Sequence, residues 1–155
     1  MSEVIKEEIG LRKDWDNYFM DIAFEVAERS TCERLHVGSL LVKNKRIKGT
    51  GYNGSPKGLP HCQDEGCFMS NNHCVRTIHA EVNCLMEVSP EDRQDATLYV
   101  THTPCPECQK VIINSGVTRV VFAKEYKPTI NWFEYADWIE LVDLEKDKNE
   151  NEKNN

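Results

Sequence analysis

The sequence contains no apolar stretch near the roughly 20 residues that a bilayer-spanning helix needs. Its opening, MSEVIKEEIG, has neither the basic cluster nor the apolar run of a secretory signal. A membrane-spanning helix and an export signal are therefore not expected. Basic charge is also short: 19 Lys and Arg stand against 26 Asp and Glu, a formal net charge of −7. That balance argues against a broad cationic surface for a nucleic-acid polymer and leaves only a local anion pocket. No segment repeats. Seven cysteines make an odd set, which argues against a closed disulfide framework and for a reducing, cytoplasmic setting in which thiols are metal ligands or reactive groups.

The 155 residues, 39% hydrophobic and 29% charged, describe one soluble domain able to bury a core without disulfide staples. Residues 1–144 are expected to form it, and 145–155, ending in EKDKNENEKNN, to be a disordered polar tail with nothing to bury. Apolar residues at Trp15, Tyr18, Phe19, Ile22, Ala23 and Val26 follow a three-and-four spacing, which predicts a helix over 14–28 with Asp14 at its N-cap. Val37–Val42 and Arg46–Tyr52 read as a hairpin about Lys43-Asn44-Lys45. Residues 53–76 have no period and form a long excursion of the kind that serves a function or needs a metal brace. A helix from His79 to Met86 follows, then a strand Thr97–Thr101, a helix Pro104–Ser115 closed by Gly116, and a strand Arg119–Ala123. A short helix over 130–137 and a strand Trp138–Leu144 complete the order. The expected fold is α/β, a mixed five-stranded sheet between helices: its second half is parallel and its first hairpin antiparallel.

Chemistry concentrates in two short motifs, His79-Ala80-Glu81 and Pro104-Cys105-Pro106-Glu107-Cys108. Cys105 and Cys108, three apart in the first turn of a helix, point the same way and can take two corners of a tetrahedral zinc. The electropositive helix start favours their thiolates. His79 supplies a third corner. His79 and Glu81 lie about 200° apart around an ideal helix, so both face one site only where regular geometry is just beginning. Two thiolates and a neutral imidazole roughly cancel the charge of Zn²⁺ and leave one coordination position for water. Glu81, not a ligand, is placed to take a proton from the attacking water and pass it to a ring nitrogen and then to a leaving amine. The competing reading is a closed structural zinc with Glu81 as a solvated acid.

HxE followed by PCxxC is the established signature of zinc-dependent nucleobase deaminases. The chain resembles the deoxycytidylate (dCMP) deaminases of the cytidine deaminase superfamily from about Trp15 to Val142. Besides the zinc motifs the resemblance rests on Arg29-Ser30-Thr31-Cys32-Glu33-Arg34, Val37-Gly38, Gly51-Tyr52-Asn53-Gly54-Ser55-Pro56 and His73-Cys74-Val75-Arg76-Thr77-Ile78. The GYNGxP segment separates this family from nucleoside and tRNA deaminases. The resemblance implies a three-layer α/β/α fold, with zinc on His79, Cys105 and Cys108 and Glu81 as the catalytic acid and base. It further implies substrate contacts from Asn53, the backbone at Ala80, and Tyr126, although Asn53 also suits a turn and Tyr126 a packed aromatic.

The family implies hexamers, activation by dCTP and inhibition by dTTP, with Mg²⁺ accompanying the nucleotide effectors. Arg34, Gly51, Tyr52 and Gly54 are the candidate regulatory residues. Some members carry a second, structural zinc, for which Cys32 and Cys62 match, with His73, Cys74 or Cys67 completing the set. Cys84 stands where the family commonly has alanine. The expected reaction is hydrolysis of dCMP to dUMP, which feeds thymidylate synthesis. A deaminase of dCTP, cytidine or an RNA base, and a non-catalytic zinc module, are the rivals. The acidic charge opposes a polymer substrate, and Glu81 beside three ligands opposes a mere brace.

Overall fold

The computed structural model describes residues 12–154, so the N-terminal decapeptide read above lies outside the described residues. Trp15–Ala27 forms α1. Asp14 caps it as expected, its carboxylate accepting the Asn17 amide at 3.2 Å, and Phe19, Met20, Ala23 and Ala27 are its buried stripe. Strands β1 (Gly38–Lys43) and β2 (Arg46–Tyr52) pair antiparallel. Asn44 and Lys45, at φ 53° and 61°, make the left-handed turn that suits strand twist.

The excursion after β2 is more regular than its composition suggests. Gly54 and Ile78 exchange backbone hydrogen bonds of 3.2 and 2.8 Å, so the chain leaves and returns at one point. Between them lie α2 (Cys62–Glu65) and a small hairpin of β3 (Met69–Ser70) and β4 (His73–Cys74). Then follow α3 (Ala80–Met86), α4 (Pro90–Arg93), β5 (Thr97–His102), α5 (Pro106–Ser115), β6 (Arg119–Lys124), a 3₁₀ turn (Trp132–Tyr135), β7 (Glu140–Asp143) and α6 (Leu144–Lys153). The five-stranded sheet runs β2-β1-β5-β6-β7. β1 is antiparallel to β2 and β5, and β5, β6 and β7 are parallel. This is the mixed sheet expected from the sequence.

Alternation along the strands divides the core in two. Leu40, Val42, Tyr99, Val121 and Ala123 pack with Phe19, Met20 and Ala23 of α1 and with Leu144. Leu41, Leu98, Val100 and Val120 pack on the opposite face with Cys84, Leu85, Ile112 and Phe133. Each large side chain buried this way contributes about 1.5–3 kcal/mol relative to exposure. Helix α3 sits unusually close to the sheet because Gly51 lies beneath it, where an added Cβ would be 2.3 Å from the Ala80 carbonyl oxygen. The Ser39 hydroxyl donates to the same carbonyl at 2.8 Å. The geometry fixes how deep the start of α3 lies.

Three boundaries differ from the sequence reading. The helix expected over 130–137 is a single 3₁₀ turn capped by Asn131, and the last strand is four residues long, beginning after the exposed Trp138. The expected polar tail is helical as far as Lys153: the Asp143 carboxylate accepts the Lys146 amide at 3.0 Å, and Leu144 is buried against the α1 face of the sheet. A capping side chain and one apolar anchor were enough to start a helix in a segment whose composition alone read as disordered. Among the described residues no helix is long and apolar enough to cross a membrane.

Candidate active site

His79 and Cys105 are the extended N-cap residues of α3 and α5, at φ −67° and −68°. Because His79 precedes the first helical residue, its ring and the Glu81 side chain both reach the site, as the two-residue spacing requires. His79 Nδ1 is 3.2 Å from Cys108 Sγ and 3.4 Å from Cys105 Sγ, and the three donor atoms lie within 4.8 Å of one another. Tetrahedral zinc bonds of about 2.3 Å to sulfur and about 2.05 Å to nitrogen separate such donors by about 3.6 Å. The donor set fits zinc in both chemistry and spacing.

The two thiols, the imidazole and the carboxyl shift one another's proton affinity. The Cys105 thiol is lowered to about 4 by the Cys108 thiol that hydrogen-bonds to it, with further help from His79. The same contact, together with burial, pushes Cys108 up. His79 is raised, chiefly by Cys105. Glu81 is 5% exposed, and burial raises its carboxyl against the opposing pull of its own backbone amide and the His79 ring. A carboxyl beside a metal-fitting donor set, yet outside it, is the arrangement of a proton carrier.

A cleft of about 450 Å³ opens onto these groups, with His79, Ala80, Glu81 and Cys105 at one end and Arg34, Asn72 and His73 among its other walls. Ala80 is buried, its carbonyl taken by Ser39 and its amide in the first turn of α3, where no intrahelical acceptor exists. Asn53 lines the cleft but spends most of its side chain on the fold: Oδ1 accepts the Val37 amide at 2.9 Å and Nδ2 donates to the Leu35 carbonyl at 2.7 Å. Tyr126 forms part of the wall, its hydroxyl pushed up to about 12 by burial and then by the thiols and Glu81.

The candidate regulatory residues do not form one group. Arg34 is in the cleft, its guanidinium donating to the Asn72 carbonyl at 3.0 Å. Gly51 is buried under α3, the Tyr52 carbonyl accepts from Asn83 at 2.9 Å, and Gly54 is in the bridge to Ile78.

A second cluster brings together Cys32, Cys62, Cys67 and Cys74, all four sulfurs within 4.8 Å of one another. Cys62 and Cys74 are 3.5 Å apart and Cys32 and Cys67 4.0 Å, close to the about 3.8 Å between thiolates on a tetrahedral zinc. Burial opposes ionisation of Cys74, yet the amides of Arg76 and Phe68 and the Cys62 thiol lower it to about 7. His73, a candidate for this group, is not in it. It is adjacent to Cys74 in β4, and neighbouring strand residues face opposite ways, so Cys74 joins the thiols and Cys67, ahead of the hairpin, completes the four. Cys84 belongs to neither cluster: it is fully buried under the sheet and pushed up to about 12 by that burial. The sequence reading gave no role to Thr77, His102 and Thr103, which also line the cleft. The signal for the last two was their place at the end of a parallel strand, where side chains of open α/β sheets meet ligands.

A second cavity, about 550 Å³, lies at the opposite end of the sheet between Trp15, Lys45, Asp95 and Arg119. It is lined by none of the thiols or imidazoles.

Comparison with known proteins follows the same lines. Residues 13–124 match the cytidine and deoxycytidylate deaminase zinc-binding region. The chain is 48% identical over 120 residues to ComE operon protein 2 of Bacillus subtilis, covering 75% of this chain and 62% of that protein. It is 44% identical over 126 residues to the deoxycytidylate deaminase of Mycobacterium phage D29, covering 74% of this chain and 98% of that protein. The crystal structure of the dCMP deaminase of cyanophage S-TIM5, in complex with dCMP and dUMP, is similar with a TM-score of 0.74 and 29% identity, over 86% of this chain and 99% of that one. With the zinc-fitting donors and the buried carboxyl in the region that the match spans, the chain belongs to the cytidine and deoxycytidylate deaminase family.

Proposed function

We propose that the chain catalyses hydrolytic deamination of dCMP: water adds to C4 of the cytosine ring, the C4–N bond breaks, and dUMP and ammonia leave. The observation that carries this reading is the buried Glu81 carboxyl beside an imidazole and two thiols in an open cleft, in a chain 44% identical to a phage deoxycytidylate deaminase. Bound Zn²⁺, held by His79, Cys105 and Cys108, supplies the Lewis acidity that makes water nucleophilic at neutral pH. Glu81 takes one proton as water attacks and gives it to the ring nitrogen N3, then takes the proton of the new C4 hydroxyl and gives it to the departing amino group as the C4 carbonyl forms. Its burial, which favours the protonated form, lets it hold the proton between transfers.

The backbone at Ala80 reads the pyrimidine edge, the remaining Asn53 amide hydrogen meets the sugar, and Tyr126 covers the nucleotide. In this reading Arg34, a cation on the cleft wall, meets the substrate phosphate rather than a separate effector. The four thiols of Cys32, Cys62, Cys67 and Cys74 hold a structural zinc that braces the excursion. We assign the enzyme to the cytoplasm, a setting supported by its seven unpaired cysteines. We also assign it a homohexamer, activated by dCTP and inhibited by dTTP with Mg²⁺, the effectors meeting the loop of Tyr52 and Gly54. The dUMP formed serves thymidylate synthesis.

The test is turnover by zinc-loaded protein of dCMP, CMP, dCTP and deoxycytidine, read as ammonia release and loss of cytosine absorbance. dCMP is expected to be the best substrate. No turnover of any of the four, with dCTP and Mg²⁺ also added as effectors, overturns the reading.

A further inference from the structure

We infer that Gln109 is a positioning residue that registers the Tyr126 wall of the cleft against the Cys105–Cys108 ligand pair. This rests on reading the cleft as the deaminase site. Gln109 follows Cys108 in α5 and is fully buried, a costly place for a primary amide unless both its ends are satisfied. Both are. Its Nε2 donates to the carbonyl of Pro104 at 3.0 Å, immediately before Cys105, and its Oε1 accepts the backbone amide of Trp132 at 2.6 Å.

Those two bonds join pieces of chain with different tasks. Pro104 leads into the cysteine pair, and Trp132 opens the 3₁₀ turn that ends the segment carrying Tyr126. The other end of that segment is pinned as well: the Tyr126 amide donates to Thr103 Oγ1 at 3.2 Å, and the Thr103 amide donates to the Lys124 carbonyl at 3.0 Å. Residues 126–132 are thus bracketed at both ends by partners within 103–109, the stretch that supplies two of the three metal-fitting donors. Between these anchors the segment is only partly packed, Tyr126 being 44% and Ile130 48% exposed. An apolar side chain at 109 would leave the Trp132 amide and the Pro104 carbonyl without these partners, loosening the ligand loop and the cleft wall together.

The experiment compares zinc-loaded wild type with Gln109→Met, whose unbranched side chain keeps the length and helix preference of glutamine. Zinc affinity is read by competition with a chelator, ligand geometry by the visible absorption of the Co²⁺-substituted protein, and substrate binding by the separation of KM from kcat on dCMP. Gln109→Met is expected to weaken zinc by about 10- to 100-fold, as loss of a partner behind the ligands does, to shift the Co²⁺ bands, and to raise KM more than it lowers kcat. Thr103→Val, which cuts only the Tyr126 end, is expected to raise KM while zinc affinity stays at the wild-type value, and Thr103→Ser to restore KM. A Gln109→Met protein with lowered Tm but wild-type zinc affinity and Co²⁺ spectrum overturns the inference. So does an unchanged KM in Thr103→Val, which decides the matter if Gln109→Met does not fold. The zinc and Co²⁺ readings need no substrate, so they stand even if the wild type turns over no cytosine nucleotide.

Discussion

Arg119 and Asp16, 103 positions apart, form a two-pronged ion pair: the two guanidinium nitrogens reach Oδ1 and Oδ2 of the carboxylate at 2.8 and 2.7 Å. Tyr99 adds its hydroxyl to Oδ1 at 2.6 Å. The three residues tie the start of α1 to β5 and β6, at the end of the sheet away from the cleft, and both charged partners are about a quarter exposed.

This contact predicts an acid-sensitive share of stability. The Arg119 hydrogen bond holds the Asp16 carboxyl below its ordinary 3.8, more than offsetting burial, with Tyr99 assisting. A depressed carboxyl stabilises the fold above its unfolded pKa and ceases to do so as pH falls through the folded one. Asp16→Asn is therefore expected to lower stability by about 1.5–3 kcal/mol near pH 7, and the deficit should shrink below about pH 4. Urea unfolding at both pH values checks this. An equal deficit at acid and neutral pH would mean that the charge is not the cause.

Glu81→Gln should retain the zinc content of the wild type while turnover falls by about 10²–10⁴-fold, the worth of a positioned proton carrier. Metal analysis and an ammonia assay on the same preparation separate the two effects. Loss of zinc would instead make Glu81 a ligand.

Metal content tests the second cluster. Wild type should hold about two zinc ions per chain, Cys67→Ser about one, and His73→Ala about two, because the fourth donor is the thiol of Cys67. A drop in His73→Ala with none in Cys67→Ser would restore the histidine reading of the sequence.

Gly51→Ala is expected to act on catalysis through packing. An added Cβ would fall 2.3 Å from the Ala80 carbonyl oxygen and 2.5 Å from the Cys84 amide, so α3 must move away from the sheet and carry Glu81 with it. The expected costs are about 1–3 kcal/mol of stability and a fall in kcat with no effector present. A variant altered only in its response to dCTP or dTTP would return Gly51 to a regulatory role.

The donor types, their order, and the helix starts that carry them were all legible in the sequence, because capping and the CxxC spacing are local matters set by a few adjacent residues. The mixed sheet was legible as well, since short apolar runs between turn residues mark strands buried on both faces, and a tight hairpin must pair antiparallel. Other features were decided by contacts between distant segments. Cys67 rather than His73 joins Cys32 because neighbouring residues of β4 face opposite ways, Cys74 toward the thiols, and the chain between α2 and β3 brings Cys67 to the same side. Gln109 looks like an ordinary polar residue of a helix until Trp132 and Pro104 come within reach of its two ends. Arg34 becomes a cleft residue only when the 69–74 hairpin folds beside it. Local geometry fixed what chemistry the chain carries; long-range packing, which short windows of sequence do not encode, decided which residues share it.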